Sequence, residues 1–213
     1  MHCFLRHVVS ISVLGLLACG SSPALFNGSG DVVGVWKRYD DTGTTVRDQY
    51  TFRADGTFAF DEFKTNPADE DHVSGTWRKE GSQLVGEGIN ARSGLRGRTR
   101  GTYYVNSTQF LPGALLRESG GPGIVGVWTG ILVNESLDGN GQVTSSSTTG
   151  GRFAFRADHT ATATVNGQTR ETTWEDKGEN HYRVVLSSGG GLTLSTTFTL
   201  VDDLALAGQI YTK

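Results

Sequence analysis

Cysteine is nearly absent. The 213-residue chain has two, Cys3 and Cys19, both before position 20, so the rest can form no disulfide and no thiolate metal site and must be stabilised by packing alone. Pro (4) and Met (1) are scarce, no helical period appears, and the one long apolar run, Val8 to Ala18, is too short to span a bilayer, so collagen, coiled coil and multi-span membrane protein are excluded. An excess of charge of one sign is missing too. With 19 Lys+Arg, 22 Asp+Glu and a formal net charge of −3, the chain has no electrostatic footprint for nucleic acid, yet at 36% hydrophobic it is too apolar to be disordered. What is plentiful is glycine, 30 residues, together with threonine, which suits short strands joined by tight turns.

Catalytic signatures are also missing. Beyond the apolar run the histidines are His72, His159 and His181, none in a nucleophile-elbow, zinc-protease or phosphate-loop context. Carboxylate pairs such as Asp61/Glu62, Glu175/Asp176 and Asp202/Asp203 are adjacent, and neighbours on a strand point to opposite faces, which argues against acid–base partnership. The acidic run Asp69-Glu70-Asp71-His72 and the segment Asp138-Gly139-Asn140-Gly141 read as solvated turns, because the second lacks the further oxygen ligands and terminal Glu of a calcium loop. No enzyme activity, cofactor or metal is expected.

At the N-terminus, Arg6 precedes the apolar run, giving an export signal over residues 1–18. The run ends in Leu16-Leu17-Ala18-Cys19-Gly20, which resembles the bacterial lipoprotein box. That resemblance implies a diacylglyceryl thioether on Cys19 and attachment to a membrane through it; Gly20, where Asp would favour inner-membrane retention, implies the Gram-negative outer membrane. Residues 19–30 are rich in Gly and Ser and read as a flexible tether.

The chain then repeats itself. Val33-Gly34-Val35-Trp36 recurs as Val125-Gly126-Val127-Trp128, Phe52-Arg53-Ala54-Asp55 as Phe155-Arg156-Ala157-Asp158, and Thr76-Trp77 as Thr173-Trp174. The turn-forming stretch Gly120-Gly121-Pro122-Gly123 separates the copies, so the expected domains are residues 31–118 and 123–213. Within a copy the apolar period is two and Asp55-Gly56 marks a hairpin. Strands are expected near 32–39, 46–53, 57–63, 72–79, 83–87, 95–105, 108–112 and 114–117, with a matching set in the second copy. Eight short antiparallel strands hide their edges best by closing into an up-and-down barrel. The expected fold is therefore all-β, with two tandem eight-stranded barrels.

The Gly-x-Trp start, the Tyr-Thr-Phe-Arg-Ala-Asp-Gly-Thr hairpin from Tyr50, the Gly-Thr-Trp at Gly75 and the closing Tyr211-Thr212-Lys213 resemble bacterial lipocalin-like domains over most of both copies. The resemblance implies a calyx for one small apolar ligand, closed at one end by the tryptophan beneath a basic residue of the last strand. Trp36 with Arg117, and Trp128 with Lys213, are the expected structural pairs.

Aromatic bulk predicts that copy one is filled. In copy two Phe58 and Phe60 are replaced by Ala161 and Ala163, and the stretch from Trp to Arg-Ala-Asp is 11 residues longer, including Leu137 to Gly150. Two readings follow. One is a lidded pocket for a small hydrophobic ligand at Ala161, Ala163, Trp174 and Phe198; the other is a surface insertion beside a strand repacked by its neighbours. Arg96, Arg98 and Arg100 share one face of a strand and either clamp an anion or face acidic neighbours in solvent. The resulting expectation is a lipid-anchored envelope protein binding a small apolar ligand in its second barrel, the alternative being an interaction or structural module with filled barrels. Any protein partner stays unspecified.

Overall fold

The computed structural model describes residues 28–165, 167–187 and 193–213; Cys19 and the export signal lie outside them. Sixteen strands follow in order: β1 Gly34–Tyr39, β2 Val46–Phe52, β3 Thr57–Glu62, β4 Asp71–Glu80, β5 Gln83–Asn90, β6 Arg96–Val105, β7 Gln109–Pro112, β8 Leu115–Gly120, β9 Gly126–Leu137, β10 Val143–Phe155, β11 Thr160–Val165, β12 Gln168–Asp176, β13 His181–Ser187, β14 Thr193–Val201, β15 Ala205–Ala207 and β16 Tyr211–Thr212. The protein is all-β; a 3-10 turn at Pro67–Asp69 is the only helical piece among the described residues. In copy one the strands fall close to their expected places, because alternation and turn residues both mark them.

Every pairing is antiparallel. Strands β1 to β7 pair in sequence, and β16 bonds to both β7 and β1, closing an eight-stranded barrel. Strands β9 to β15 pair in sequence as well, and β8 bonds to both β15 and β9, completing a second circuit. Each circuit is thus closed by the last strand of the other copy, so the pairing crosses the boundary drawn at 118–123. The sequence could not show this, because β8 and β16 carry the same alternation and either circuit accepts either strand. Locally, the redirection occurs at Gly113, whose φ of +67° turns the chain between β7 and β8. Thr102 pins it, its hydroxyl donating to the Ala114 carbonyl at 2.6 Å and accepting the Ile131 N–H at 3.0 Å.

The exchange also crosses the expected tryptophan partners. Arg117 lies over Trp128, 4.1 Å from its ring centroid, and Lys213 over Trp36 at 4.8 Å, each cation travelling with its strand. Both indoles are fully buried and donate to a carbonyl four residues back, Val32 and Ile124, at 2.7 Å.

The longer first segment of copy two is not a flexible loop. Residues 137–150 belong largely to a hairpin of β9 and β10, paired from Phe155↔Gly126 out to Val143↔Leu137. Its outer half carries a second edge, and Leu132 to Leu137 bond to Gly101 to Arg96 of β6. Eleven extra residues therefore supply a ledge that joins both circuits into one continuous sheet.

Candidate functional site

In the first barrel, alternation points Tyr50 and Phe52 of β2, Phe58 and Phe60 of β3, Val73 of β4, Leu84, Gly86 and Gly88 of β5, and Gly97, Thr99, Gly101 and Tyr103 of β6 inward. They enclose a cavity of about 400 Å³, within the size range of small-molecule sites. Phe110 also lines it, while Pro112, Gly113, Leu132 and Ser136 bound it where β6 passes from β7 to β9. Asn90, Ser93 and Leu95 stand at the end opposite Trp36, with Leu95 67% exposed. One wall is aromatic. The other is largely backbone, since a methyl group at Gly86 would meet the Phe58 ring at 3.5 Å and one at Gly101 would strike Leu132.

The first barrel, expected to be filled by its rings, therefore holds a cavity. The expected pocket residues do meet: Ala161, Ala163 and Trp174 are buried in one apolar cluster, with Phe198 packed against it. Their surroundings differ from those expected, however. Counting along the ladders from the shared tryptophans, Trp77 pairs with Gly86 and Gly86 with Thr99, whereas Trp174 pairs with Val184 and Val184 with Thr196. Val184 thus occupies the position of Gly86 and is fully buried. Rings lost from β11 are compensated by bulk gained on β13. The spacing Gly86-x-Gly88 and Gly97-x-x-x-Gly101 was the signal for the cavity in copy one, and the aromatic count concealed it.

A buried polar group stands beside the cavity. Asp48, 1% exposed, accepts from Arg38 Nε at 3.1 and 2.9 Å, and the same carboxylate lies near the Tyr211 phenol, whose ionisation it opposes. Burial pushes the Tyr50 phenol up to about 12, and burial beside Tyr50 and Asp48 raises Tyr211 as well, so both remain protonated. Tyr211 also packs its ring 5.1 Å from Tyr50 and 6.2 Å from Phe110. The closing strand is thereby fixed to the cavity wall by aromatic contacts.

The arginine row shares a face as expected, but that face is external. Arg98 Nε lies 2.6 Å from Glu135, Arg96 lies 3.1 Å from Glu87, and Arg100 is exposed. Alternation with the inward glycines directs all three to the outer face, and of them Arg96 also borders the cavity. Near the open end, His72 Nδ1 lies 2.9 Å from Asp61, which raises the imidazole above its ordinary value. The described residues contain no group of three or more His, Cys, Asp or Glu placed to hold a metal. His159 stands where copy one has Gly56, with φ of +64° against +81°, and stacks on Trp174 at 4.4 Å.

Comparison with protein-family models, curated proteins and solved structures finds no match.

Proposed function

We propose that this is a lipid-anchored envelope protein built from two lipocalin-like barrels, which binds a small apolar molecule in the first. One observation carries the reading: a 400 Å³ space inside the first barrel, walled by Phe52, Phe58, Phe60 and Phe110 on one side and by glycine backbone on the other. Apolar surface enclosed in this way favours transfer of an apolar ligand from water. The anchoring part rests on the lipoprotein box at Cys19 and on the tether that follows it. In this reading the second barrel is a structural partner that contributes the closing strand and the ledge strand β9. That assignment keeps the interaction-module alternative for the second barrel alone, where Phe153, Phe155, Trp174, Tyr182 and Val184 are buried together.

The test is titration with N-phenylnaphthylamine, an uncharged probe that brightens in apolar surroundings. Saturable binding is expected, weakened about tenfold or more by Gly86→Leu, since each buried group of this size displaces a comparable part of the ligand. Gly86 tolerates the change because its new side chain starts at ordinary contact distance from Phe58. Equal binding by both proteins would remove the cavity from consideration.

A further inference from the structure

The charges around the opening identify the ligand class more narrowly, given the proposed cavity. Alternation carries the inward face of β3 from Phe60 to Glu62, and that of β4 from Val73 to Asp71. Lys64 lies 3.1 Å from Glu62 and 3.9 Å from Asp71, so one cation serves two carboxylates. Arg96, the only cation among the cavity's lining residues, is bound to Glu87 on the outer face. Neutral polar groups complete the opening. Asn90 is largely engaged: its amide donates one proton to Asp71 at 2.9 Å and its oxygen accepts the N–H groups of Arg92 and Ser93.

The opposite edge differs. Gly97↔Ser136, Thr99↔Asn134 and Gly101↔Leu132 are directly paired between β6 and β9, so these side chains continue the barrel's inner face onto the ledge. Leu132 is the last apolar contact; beyond it lie Asn134 and Ser136, both exposed. Thr99 donates to the Asn134 side-chain oxygen at 2.9 Å, so the Asn134 amide keeps its donors, and Ser136 offers its hydroxyl. An aromatic interior thus leads, without interruption, to an edge of uncharged donors and acceptors, with a carboxylate excess across the opening.

We infer that the cavity selects an uncharged amphipath, with its apolar body among Phe52, Phe58, Phe60 and Phe110 and a hydroxyl-bearing head of the acylglycerol kind against Thr99, Asn134 and Ser136. A fatty-acid carboxylate would meet, among the cavity's lining residues, no cation that is not already paired, and Glu62 and Asp71 would lie nearby, an uncompensated charge at an apolar site. A glycerol head needs only hydrogen bonds, which this edge supplies.

The experiment is displacement of N-phenylnaphthylamine from the whole protein by monolauroylglycerol and by lauric acid, which share an acyl chain, at mildly alkaline pH. The glyceride should compete at least about tenfold better, and acidification below the carboxyl pKa should narrow the gap by neutralising the acid. Thr99→Lys, at an exposed position, should reverse the preference by giving the carboxylate a partner. Equal or better competition by lauric acid in the unaltered protein overturns the inference while leaving an apolar cavity in place, as does a probe that binds but yields to neither compound. A probe that never binds removes the cavity reading and this inference together.

Discussion

The two circuits put the same bulk on opposite walls. In the first, the Phe58 ring lies over Gly86 and Gly88; in the second, Ala161 takes the place of Phe58 while Val184 takes that of Gly86. A further exchange occurs nearer the open end. Arg38 pairs with Asp48 in the first, whereas the equivalent ladder position in the second is Gly130 paired with Gly151. That glycine pair is needed because a Cβ at Gly130 would strike the Ala114 carbonyl at 2.3 Å and Thr102 at 2.9 Å, the place where the chain crosses between circuits. The first circuit uses this level for a charge pair that anchors its borrowed strand. The second uses it for close backbone approach.

If exchange makes each circuit depend on the other copy, removing the borrowed strand should have the largest effect. A chain ending at Gln209 loses Tyr211 from the aromatic cluster and from beside Asp48, and leaves the edges of β1 and β7 without a partner. The expected loss is about 5 kcal/mol, from an aromatic truncation and a disturbed buried charge, or a melting point roughly 15 °C lower for a chain of this size. Probe binding should fail with it. Tyr211→Phe keeps the ring and removes only the hydroxyl near Asp48, so it should cost no more than about 1–2 kcal/mol. Thermal melts of both variants decide the matter: a truncated protein that melts and binds like the original would mean that β16 closes nothing.

Next in size is the charge pair itself. Asp48→Ala leaves Arg38 facing the interior without its carboxylate, and breaking such a pair costs about 3 kcal/mol when one member is buried. Gly151→Ala, at the equivalent position of the second circuit, tests a different constraint, since its φ of +148° and the Thr164 carbonyl at 2.2 Å from a new Cβ leave no room. Urea unfolding of the two variants separates an electrostatic device from a steric one: only the Asp48→Ala loss should couple to Arg38→Ala in a double-mutant cycle. Additive losses at Asp48 and Arg38 would show that Asp48 acts through packing.

Much of this was legible in the residues, and the failures have a common cause. Strand positions in copy one followed from Asp55-Gly56, from the alternation of Tyr50, Phe52, Phe58 and Phe60, and from the repeat, all of which are local. The external arginine row followed from burial cost. What escaped was every property that depends on which strands become neighbours. Leu115-Leu116-Arg117 and Tyr211-Thr212-Lys213 are equally good closing strands, so local pattern does not choose their circuit. Residues 137–150 are rich in Ser, Thr and Gly, the composition of a loop, and became strand largely by pairing back onto β9, whose other edge bonds to β6. Copy one was expected to be filled because its rings were counted without the glycines of β5 and β6 that face them.

That last error defines the smallest and most discriminating test. If Phe58 with Gly86 and Ala161 with Val184 are two solutions to one packing problem, converting the second into the first should succeed only when both changes are made. Ala161→Phe alone forces a ring against a fully buried Val184 and should cost about 2 kcal/mol by overpacking. Val184→Gly alone opens a void and loosens the strand, costing about 3 kcal/mol. Together the ring enters the space that the valine leaves, and the double variant should recover about 2 kcal/mol relative to the sum, a coupling of the size seen between residues in direct contact. Additive losses in the double-mutant cycle would mean that the two positions do not share a space, and that the cavity of the first barrel owes nothing to where its glycines lie.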